Sequence, residues 1–320
     1  MPRFAYLIAS HKNPTQVCRL ARAMHRASPS AHLVVHHDPS QSRLAIPPDL
    51  PLHVVPNPVT VEWGDFSQVE MFLRSTSWML DNLDFDWLAV ISGQDYPIQP
   101  LAAFESRLAD SGQDAFQEFF PALGPAPWPE GTGRRRYYFR YTKLPRFAHY
   151  YLLPDALKRD LAQLKTWFNG AQSFVDIRSS PRGNATRLGV RRIMTPFNET
   201  FVCYGGGDWF NLNRKSVEIV HRFVQEHPRI VNYYRQTYIP NESFVLTILL
   251  NHPGTRVAND LCRFVDWGNA PVASPKILRV DDLDAILASG QPFARKFDAC
   301  IDSRVLDLLD ARIAEATYRG

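Results

Sequence analysis

Residues 4 to 38, FAYLIASHKNPTQVCRLARAMHRASPSAHLVVHHD, hold the pattern that decides the fold. Phe4 to Ala9 form an apolar run of strand length, and residues 33 to 35 form a second one beyond Pro29. Between the two runs, apolar side chains recur at helical spacing at Val17, Leu20, Ala21 and Met24. A strand, a helix and a second strand in this order predict a β-α-β unit with parallel strands.

The same alternation continues as far as residue 97. A third apolar run covers Leu52 to Val55, and a fourth, Trp87 to Ile91, leads into the loop SGQDYP at residues 92 to 97. One helical face lies between these runs, at Val69, Phe72, Leu73, Thr76 and Leu80. We therefore expect an α/β fold with a mixed, mostly parallel sheet flanked by helices. Because ligands of such folds bind at the carboxyl ends of the strands, function is expected in the loops that begin at Ser10, His36 and Ser92.

The composition fits an ordinary globular protein. With 320 residues, 45% of them hydrophobic and 21% charged, the chain can bury a substantial core. Its net charge of +4 allows an anionic ligand or a membrane surface, and we expect no nucleic acid partner. The apolar run near residue 4 is too short for a signal sequence or a membrane span. Widely spaced cysteines without a CxxC pair predict reduced thiols and a cytoplasmic protein; they are Cys18, Cys203, Cys262 and Cys300.

Residues 121 to 196 interrupt the alternation and are rich in Pro, Gly, Arg and Tyr. We expect an insertion that shapes a binding cleft. The insertion also holds the densest positive charge, at Arg134, Arg135, Arg136, Arg140, Lys143, Arg146, Arg178, Arg182, Arg187, Arg191 and Arg192. The favoured interpretation is a solvated basic surface, and the alternative is a site for an anionic substrate or for lipid headgroups, with peripheral membrane contact.

Regular structure is expected to resume at residues 200 to 204, just before the string GGGDWF at 205 to 210. A helix is predicted from Arg214, and a second one near Pro240, with Glu242 in its first turn. The tail contains the strings RFVDWG, SPK and PFARKFD. It ends in an amphipathic helix through Val305, Leu306 and Leu309.

Eight segments in this order resemble the Core-2/I-branching β-1,6-N-acetylglucosaminyltransferase and peptide xylosyltransferase family. They run nearly from end to end and leave out the insertion; they are AYLIASHK, VVHHDPS, VEWGDFSQV, DWLAVISGQDYPIQP, GGGDWFNLNRKSVEIV, YIPNESFVLTILLN, RFVDWG and FARKFD. The strings DWF and FARKFD are typical of the xylosyltransferase-like branch. The resemblance implies a GT-A-type glycosyltransferase fold, a UDP-sugar donor, inversion at the anomeric carbon and no divalent metal.

On this resemblance residues 1 to 320 form a single glycosyltransferase domain. A nucleotide-binding half covers 1 to 120, the insertion at 121 to 196 shapes an acceptor cleft, and 197 to 320 supply the acceptor and catalytic half with a diphosphate-binding tail. The implied role is in polysaccharide biosynthesis, with GlcNAc or xylose moved to a glycan or peptide hydroxyl. The alternatives are a metal-dependent glycosyltransferase and a catalytically silent carbohydrate-binding protein of the same fold.

An inverting transfer needs a base for the acceptor proton and positive charge for the departing diphosphate. The resemblance places the base at Glu242, and Asp208 of the string DWF is the second candidate, with Trp209 beside the acceptor. Whichever of the two carboxylates is not the base orients a substrate hydroxyl. Without the resemblance, Glu242 reads as an acid favoured by a helix dipole and Asp208 as a turn residue.

The leaving diphosphate is assigned by resemblance to Arg295 and Lys296. Arginine grips phosphate oxygens in bidentate fashion, and lysine acts as a point charge. Some relatives have a further arginine where this chain has Ala273, so Lys276 is a candidate substitute.

The nucleotide is assigned to the loops that follow the first strands. The resemblance implies uridine contacts at Ala9, His11 and Asp38, with Trp63 as an aromatic wall. Asp95 either faces the donor sugar or caps the turn before Pro97.

No metal site is expected. Asp84-Phe85-Asp86 has the DxD spacing of manganese-binding transferases, but it precedes the strand at 87 to 91 and so lies at the wrong end for the ligand edge. In the string His36-His37-Asp38, neighbouring strand residues point to opposite faces and do not readily share one ion.

Overall fold

A computed structural model describes residues 2–124, 127–144, 154–179, 186–268 and 274–319, with side chains described as far as residue 316. The helices are α1 (Pro14–Ala27), α2 (Ser67–Asn82), α3 (Ala102–Asp110), α4 (Thr132–Tyr137), α5 (Asp155–Ala171), α6 (Arg214–Glu226), α7 (Pro228–Tyr234), α8 (Phe244–Asn251), α9 (Leu283–Ala288) and α10 (Arg304–Arg319). Single 3-10 turns cover Pro240–Glu242 and Val280–Asp282.

The strands of the same ranges are β1 (Phe4–Ser10), β2 (His32–His37), β3 (His53–Val54), β4 (Trp87–Ser92), β5 (Asp95–Pro97), β6 (Ala115–Phe116), β7 (Phe119–Pro121), β8 (Phe139–Lys143), β9 (Val175–Ser179), β10 (Thr186–Arg191), β11 (Tyr204–Gly206), β12 (Asn211–Asn213), β13 (Val257–Ala258), β14 (Phe264–Val265) and β15 (Phe293–Arg295). The strand, helix and strand predicted for residues 4 to 38 are confirmed as β1, α1 and β2.

A central seven-stranded sheet has the order β13-β6-β12-β4-β1-β2-β3. β4, β1, β2 and β3 are parallel to one another, whereas β12 is antiparallel to both of its neighbours. Alternate residues of β1 serve two cores: Tyr6 and Ile8 pack with α1 and α10, while Ala5 and Leu7 pack with α2, α6 and α8. The predicted α/β fold, a mixed and mostly parallel sheet flanked by helices, is confirmed.

The carboxyl ends of β1, β2 and β4 meet at one edge of this sheet, which we call the ligand edge. The N–H of Asp38 donates to Ser10 O at 2.8 Å, and the N–H of Gly93 donates to Ala9 O at 2.9 Å. A Cβ at Gly93 would lie 3.1 Å from the Ser10 Cβ, so glycine permits this close approach. A small sheet, β14-β15-β5, extends the edge and places Arg295 opposite Asp95.

The insertion is more regular than its composition suggests. The antiparallel strands β8, β10 and β9 form a separate sheet, with α4 and α5 before two of them. Arg135 and Arg178 both pair with the buried Asp176, so a solvated basic surface is the wrong interpretation for them.

Other basic residues of the insertion are divided in the same way. Arg187 is buried against Glu62 and Asp65, which also bind the half-exposed Lys143. Three arginines remain exposed, at Arg134, Arg140 and Arg191. Arg146 and Arg182 lie outside the described residues.

Two further expectations need correction. Regular structure begins at Tyr204 and not at residue 200, since Tyr204 is the first residue of β11. The strand itself includes Gly205 and Gly206. A Cβ at Gly206 would overlap the carbonyl oxygen of Glu118, which explains the glycine. Glu242 ends a 3-10 turn that is separate from α8, so it is not a first-turn acid of that helix.

The four cysteines are free thiols, three of them buried and Cys300 exposed. Among the residues that the structure describes, no helix combines the length and the apolar character that a membrane span needs.

Candidate active site

Two carboxylates, Asp208 and Glu242, meet where β11 approaches α8. The Ser243 hydroxyl donates to Tyr204 O at 2.6 Å, and the Tyr204 N–H donates to the Thr247 hydroxyl at 3.0 Å. These bonds fasten the start of α8 to the strand. As a result, the loop after β11 and the 3-10 turn before α8 present their acids together.

Each carboxylate has its own hydrogen-bond partner. The Asn241 amide donates to Asp208, and Arg136 of α4 forms an ion pair with Glu242. Arg136 also lies over the Trp128 ring, 4.3 Å from its centroid. Sequence reasoning did not single out Arg136 or Asn241 for the site; the signals were the triple arginine at 134 to 136 and the residue next to Glu242.

Burial raises the pKa of Glu242 to about 7. The positive charge of Arg136 opposes this rise, whereas the negative charges of Asp208 and Glu118 add to it. Burial also raises the pKa of Asp208, against the opposing charges of Arg295 and Arg136. Glu242 nevertheless keeps 23% of its side-chain surface exposed, so it remains accessible from solvent. An accessible carboxylate that titrates near neutrality is suited to take up a proton.

Asp95 lies behind these acids as a fully buried ionic centre. It accepts hydrogen bonds from the N–H and the hydroxyl of Ser92, both at 3.0 Å, and so caps the turn between β4 and β5. Arg263 Nη1 lies 2.5 Å from Oδ2, the oxygen that also accepts from the Ser92 N–H, and Arg295 Nη1 lies 3.6 Å from Oδ1. Of the two roles expected for Asp95, these contacts correspond to the turn cap.

Arg295 ends β15 and reaches the site beside Trp209. Its guanidinium carbon lies 4.7 Å from the centroid of the Trp209 ring, while that of Arg263 lies at 5.6 Å. Nε and Nη1 of Arg295 are buried and have no hydrogen-bond partner in the part of the chain that the structure describes. Trp209 therefore packs against cations, and its contact with an acceptor stays a prediction.

Lys296 and Lys276 lie on adjacent backbone segments but differ in their side-chain contacts. The Lys296 ammonium donates to the Ser274 hydroxyl at 2.6 Å. The exposed Lys276 ammonium binds Asp282 at 2.5 Å instead. Ala273, the position aligned with a family arginine, lies outside the described residues.

The residues assigned to the nucleotide lie at the ligand edge, but Asp38 is committed to the backbone. It is buried and accepts hydrogen bonds from Ser40 N at 2.9 Å and Val61 N at 2.8 Å. Burial opposes the ionisation of Asp38, yet these two N–H groups lower its pKa overall. Asp38 therefore holds the loop that leads to Trp63, whose ring packs edge-on against Tyr238 at 5.9 Å.

His36 anchors the same loop and was not expected to have a role. Its Nε2 accepts a hydrogen bond from Val59 N at 2.8 Å, and burial lowers the pKa of the imidazole to about 4. The ring is therefore neutral at physiological pH. His36 and Asp38 together fasten residues 59 to 61 to the carboxyl end of β2.

The loop after β1 is joined to the string FARKFD. His11 O accepts from the Ser42 hydroxyl at 3.0 Å. Lys12 and Asn13 donate to Asp298 at 3.0 and 3.2 Å. Asp298 thus connects the predicted nucleotide loop, which begins at Ala9, with the segment that carries Arg295 and Lys296.

The DxD string occupies the opposite edge of the sheet, as its sequence position predicted. Asp84 and Asp86 precede β4 and both pair with Arg3, and 70% of the Asp84 side chain is exposed. Within the described ranges, no three His, Cys, Asp or Glu side chains are grouped closely enough to hold a metal ion.

Comparison with known proteins shows what this chain is similar to. The sequence profile of the Core-2/I-Branching enzyme family matches residues 156–287. Xylosyltransferase 1 of Rattus norvegicus is 28% identical over 274 residues, which cover 78% of this chain and 27% of the relative. The family resemblance is confirmed. Xylosyltransferase 2 of the rat is 27% identical over 286 residues, covering 81% of this chain and 27% of that protein.

A plant relative widens the range of named activities. Beta-glucuronosyltransferase GlcAT14B of Arabidopsis thaliana is 32% identical over 117 residues, which cover 35% of this chain and 26% of the relative. The chain thus spans about a quarter of the length of these curated relatives. The family profile includes Asp208 and Glu242, whereas Arg295 and Lys296 lie beyond its matched range.

Proposed function

We propose that the protein is an inverting glycosyltransferase that moves a sugar from a UDP donor to a hydroxyl of a glycan or peptide. The observation that carries the proposal is that the charge of Asp208 interacts both with Glu242 and with the Arg295 guanidinium. Within the described ranges, the buried Nε and Nη1 of Arg295 have no hydrogen-bond partner. A base and an anion-binding group at one site are the two requirements of such a displacement.

In this proposal the acceptor oxygen attacks the anomeric carbon while the bond from that carbon to the diphosphate oxygen breaks. Glu242 takes the proton of the acceptor hydroxyl, since its raised pKa matches the task near neutral pH. The negative charge left on UDP is stabilised by Arg295 and Lys296. Asp208, held by Asn241, orients the acceptor or a hydroxyl of the donor sugar.

We propose that the transfer needs no divalent metal, because side-chain cations supply the charge at the diphosphate. The competing proposal uses Asp84 and Asp86, which lie at the other edge of the sheet and are paired with Arg3. Turnover after EDTA treatment separates the two. Undiminished turnover supports the cationic mechanism, and a strong loss that manganese restores would overturn it.

Xylose and GlcNAc are the proposed donor sugars. Xylose is favoured by the names of the relatives and by the strings DWF and FARKFD. Because the plant relative is named a glucuronosyltransferase, UDP-glucuronic acid is included among the donors to be tested. Thermal stabilisation and hydrolysis with UDP-xylose, UDP-GlcNAc, UDP-glucose, UDP-galactose and UDP-glucuronic acid identify the donor. The transferase proposal fails in favour of a silent binding protein if calorimetry detects no UDP binding and Lys296→Ala changes nothing.

Peripheral contact with an anionic membrane, from a cytoplasmic location, is a further proposal. Helix α5 exposes apolar side chains beside Lys158 and Arg159; between 40% and 67% of each is accessible at Leu157, Leu161, Leu164 and Trp167. Basic amphipathic helices of this kind lie in membrane interfaces. Co-sedimentation with vesicles containing phosphatidylserine tests it. Trp167→Ser is expected to reduce binding, and equal recovery on neutral vesicles would contradict the charge argument.

A further inference from the structure

Asp95 is shared unequally by two arginines. Arg263 Nη1 lies 2.5 Å from Oδ2, a charge-assisted hydrogen bond, whereas Arg295 Nη1 lies 3.6 Å from Oδ1, beyond hydrogen-bond range. The remaining hydrogen bonds to this carboxylate come from Ser92. The charge of Asp95 is therefore already paired with that of Arg263, while Oδ1, the oxygen nearer to Arg295, accepts from the Ser92 hydroxyl.

Arg263 is held rigidly in this arrangement. Its side chain is fully buried, and its Nη2 donates to Val90 O at 3.1 Å on the neighbouring strand. The rings of Trp209 and Phe293 enclose it, with centroids 5.6 and 6.0 Å from the guanidinium carbon. A buried charge of this kind depends on its counter-ion, so Arg263 and Asp95 act as a fixed pair.

Arg295 has more unpartnered donors than Arg263. Among the described residues, its buried Nε and Nη1 have no hydrogen-bond partner, whereas Nε is the one such donor of Arg263. Burial raises the pKa of Asp208, and the charge of Arg295 is the strongest ionic influence that opposes this rise. A buried donor without an acceptor costs free energy, so the fold must prevent Arg295 from closing onto Asp95, the nearest carboxylate.

We propose that Arg263 is a positioning residue that neutralises the charge of Asp95 and thereby keeps the Arg295 guanidinium available to the donor diphosphate. The inference rests on the proposed function, because the anion in question is that of a nucleotide donor. It assigns Arg263 no contact with substrate. Arg263 acts indirectly, by determining whether the Arg295 guanidinium pairs with Asp95 or binds the diphosphate.

The test measures UDP affinity by calorimetry in three variants. Arg263→Met keeps the length of the side chain and removes its charge, so Arg295 pairs with Asp95 and UDP binding weakens by about tenfold or more. Arg263→Met with Asp95→Asn removes the competing carboxylate as well, and the amide oxygen can still accept from Ser92. We expect this double variant to return to within about threefold of the unaltered protein.

Recovery of UDP affinity in the double variant separates competition for Arg295 from a merely structural role of Arg263. A structural role predicts that the double variant binds UDP as weakly as the single variant, or more weakly. Arg19→Met is the matched control, since Arg19 also pairs with two carboxylates, Asp307 and Asp310, at 2.6 and 2.8 Å, but packs between α1 and α10. It should leave UDP affinity unchanged.

The outcomes are distinguishable. Circular dichroism shows whether Arg263→Met folds. If it does not, UDP affinity is measured in the double variant, which removes both buried charges together. A folded double variant that fails to bind UDP overturns the inference, as does unchanged affinity in Arg263→Met. Absence of UDP binding by the unaltered protein would overturn the proposed function itself.

Discussion

Two pairs of acids, close to opposite edges of one sheet, show how position decides what a carboxylate can do. Asp84 and Asp86 precede β4, where both pair with the half-exposed Arg3, which lowers the pKa of Asp86. Asp208 and Glu242 are partly buried at the candidate active site, and their pKa values are raised, chiefly by burial. The first pair has the better-known motif, but the second has the chemistry of a base.

The difference is one of desolvation. An exposed pair in contact with arginine stays ionised, and its interactions contribute little to stability because water screens them. A carboxylate taken out of water, and placed near a second one, holds a proton up to higher pH. The five predictions below test this contrast, from the largest expected effect to the smallest.

Glu242→Gln should reduce the transfer rate by about 10²- to 10⁴-fold while UDP binding survives, because the variant keeps a hydrogen-bond acceptor for Arg136 and loses the base. Single-turnover rates and calorimetry measure the two properties. Asp208→Asn is the companion variant and should impair turnover less. Near-normal turnover in Glu242→Gln, with the loss in Asp208→Asn, would reverse the assignment of the base.

Lys296→Ala should weaken UDP binding by about 10- to 100-fold, the usual effect of losing a charge-assisted contact. Lys276→Ala is the matched control, because its exposed ammonium is already bound to Asp282. We expect a smaller change there, measured by the same calorimetric titration. Equal losses of UDP affinity in the two variants would indicate that Lys276 also binds the diphosphate.

The pH dependence of kcat/KM should follow the ionisation of Glu242. Activity is expected to rise about tenfold per pH unit up to about pH 7 and then to level off, since only the ionised form accepts a proton. Arg136→Met removes the positive charge that lowers this pKa, so the midpoint should move to higher pH. An unchanged midpoint would show that another group controls the profile.

The same group makes a signed prediction for stability. Its folded-state pKa of about 7 exceeds the ordinary value of 4.5, so the native state binds the additional proton between these two values. The stability that this proton confers is present below pH 4.5 and is lost as the pH rises toward 7. Thermal unfolding should therefore show the wild type losing stability relative to Glu242→Gln across this window.

Asp84→Asn with Asp86→Asn should change turnover by less than about twofold and the free energy of unfolding by about 0 to 1 kcal/mol, because exposed ion pairs contribute little. Initial rates and denaturant titration check the two values. A loss of activity comparable to that of Glu242→Gln would mean that the amino edge of the sheet takes part in catalysis.

Much of the fold follows from local pattern. The apolar periods of β1, α1 and β2 predict the parallel core, because alternation at period 2 and period 3.6 records which face is buried. The short strand β6 and the sheet of the insertion carry no such signal. Their two- to six-residue strands are stabilised by pairing with distant segments, for example β10 with β8.

The contacts of the candidate site are harder to predict from the sequence than the fold, for the same reason. Motifs predict Glu242, Asp208 and Arg295 as site residues, but the partners of such side chains come from segments far apart in the chain. Arg136 precedes Glu242 by 106 residues, and Arg263 follows Asp95 by 168. Such partners are chosen by tertiary geometry, so the commitment of Asp38 to the backbone and of Asp95 to Arg263 had no signature in sequence.

Arg136 gives the insertion an importance beyond the shape of a cleft. This residue belongs to the segment 121 to 196, which the family motifs do not cover, yet its charge acts directly on Glu242. We therefore expect a chimaera in which this segment is exchanged for one without Arg136 to shift the pH at which Glu242 ionises. A segment far away in the chain thus sets, through one guanidinium, the acidity range in which this carboxylate can accept a proton.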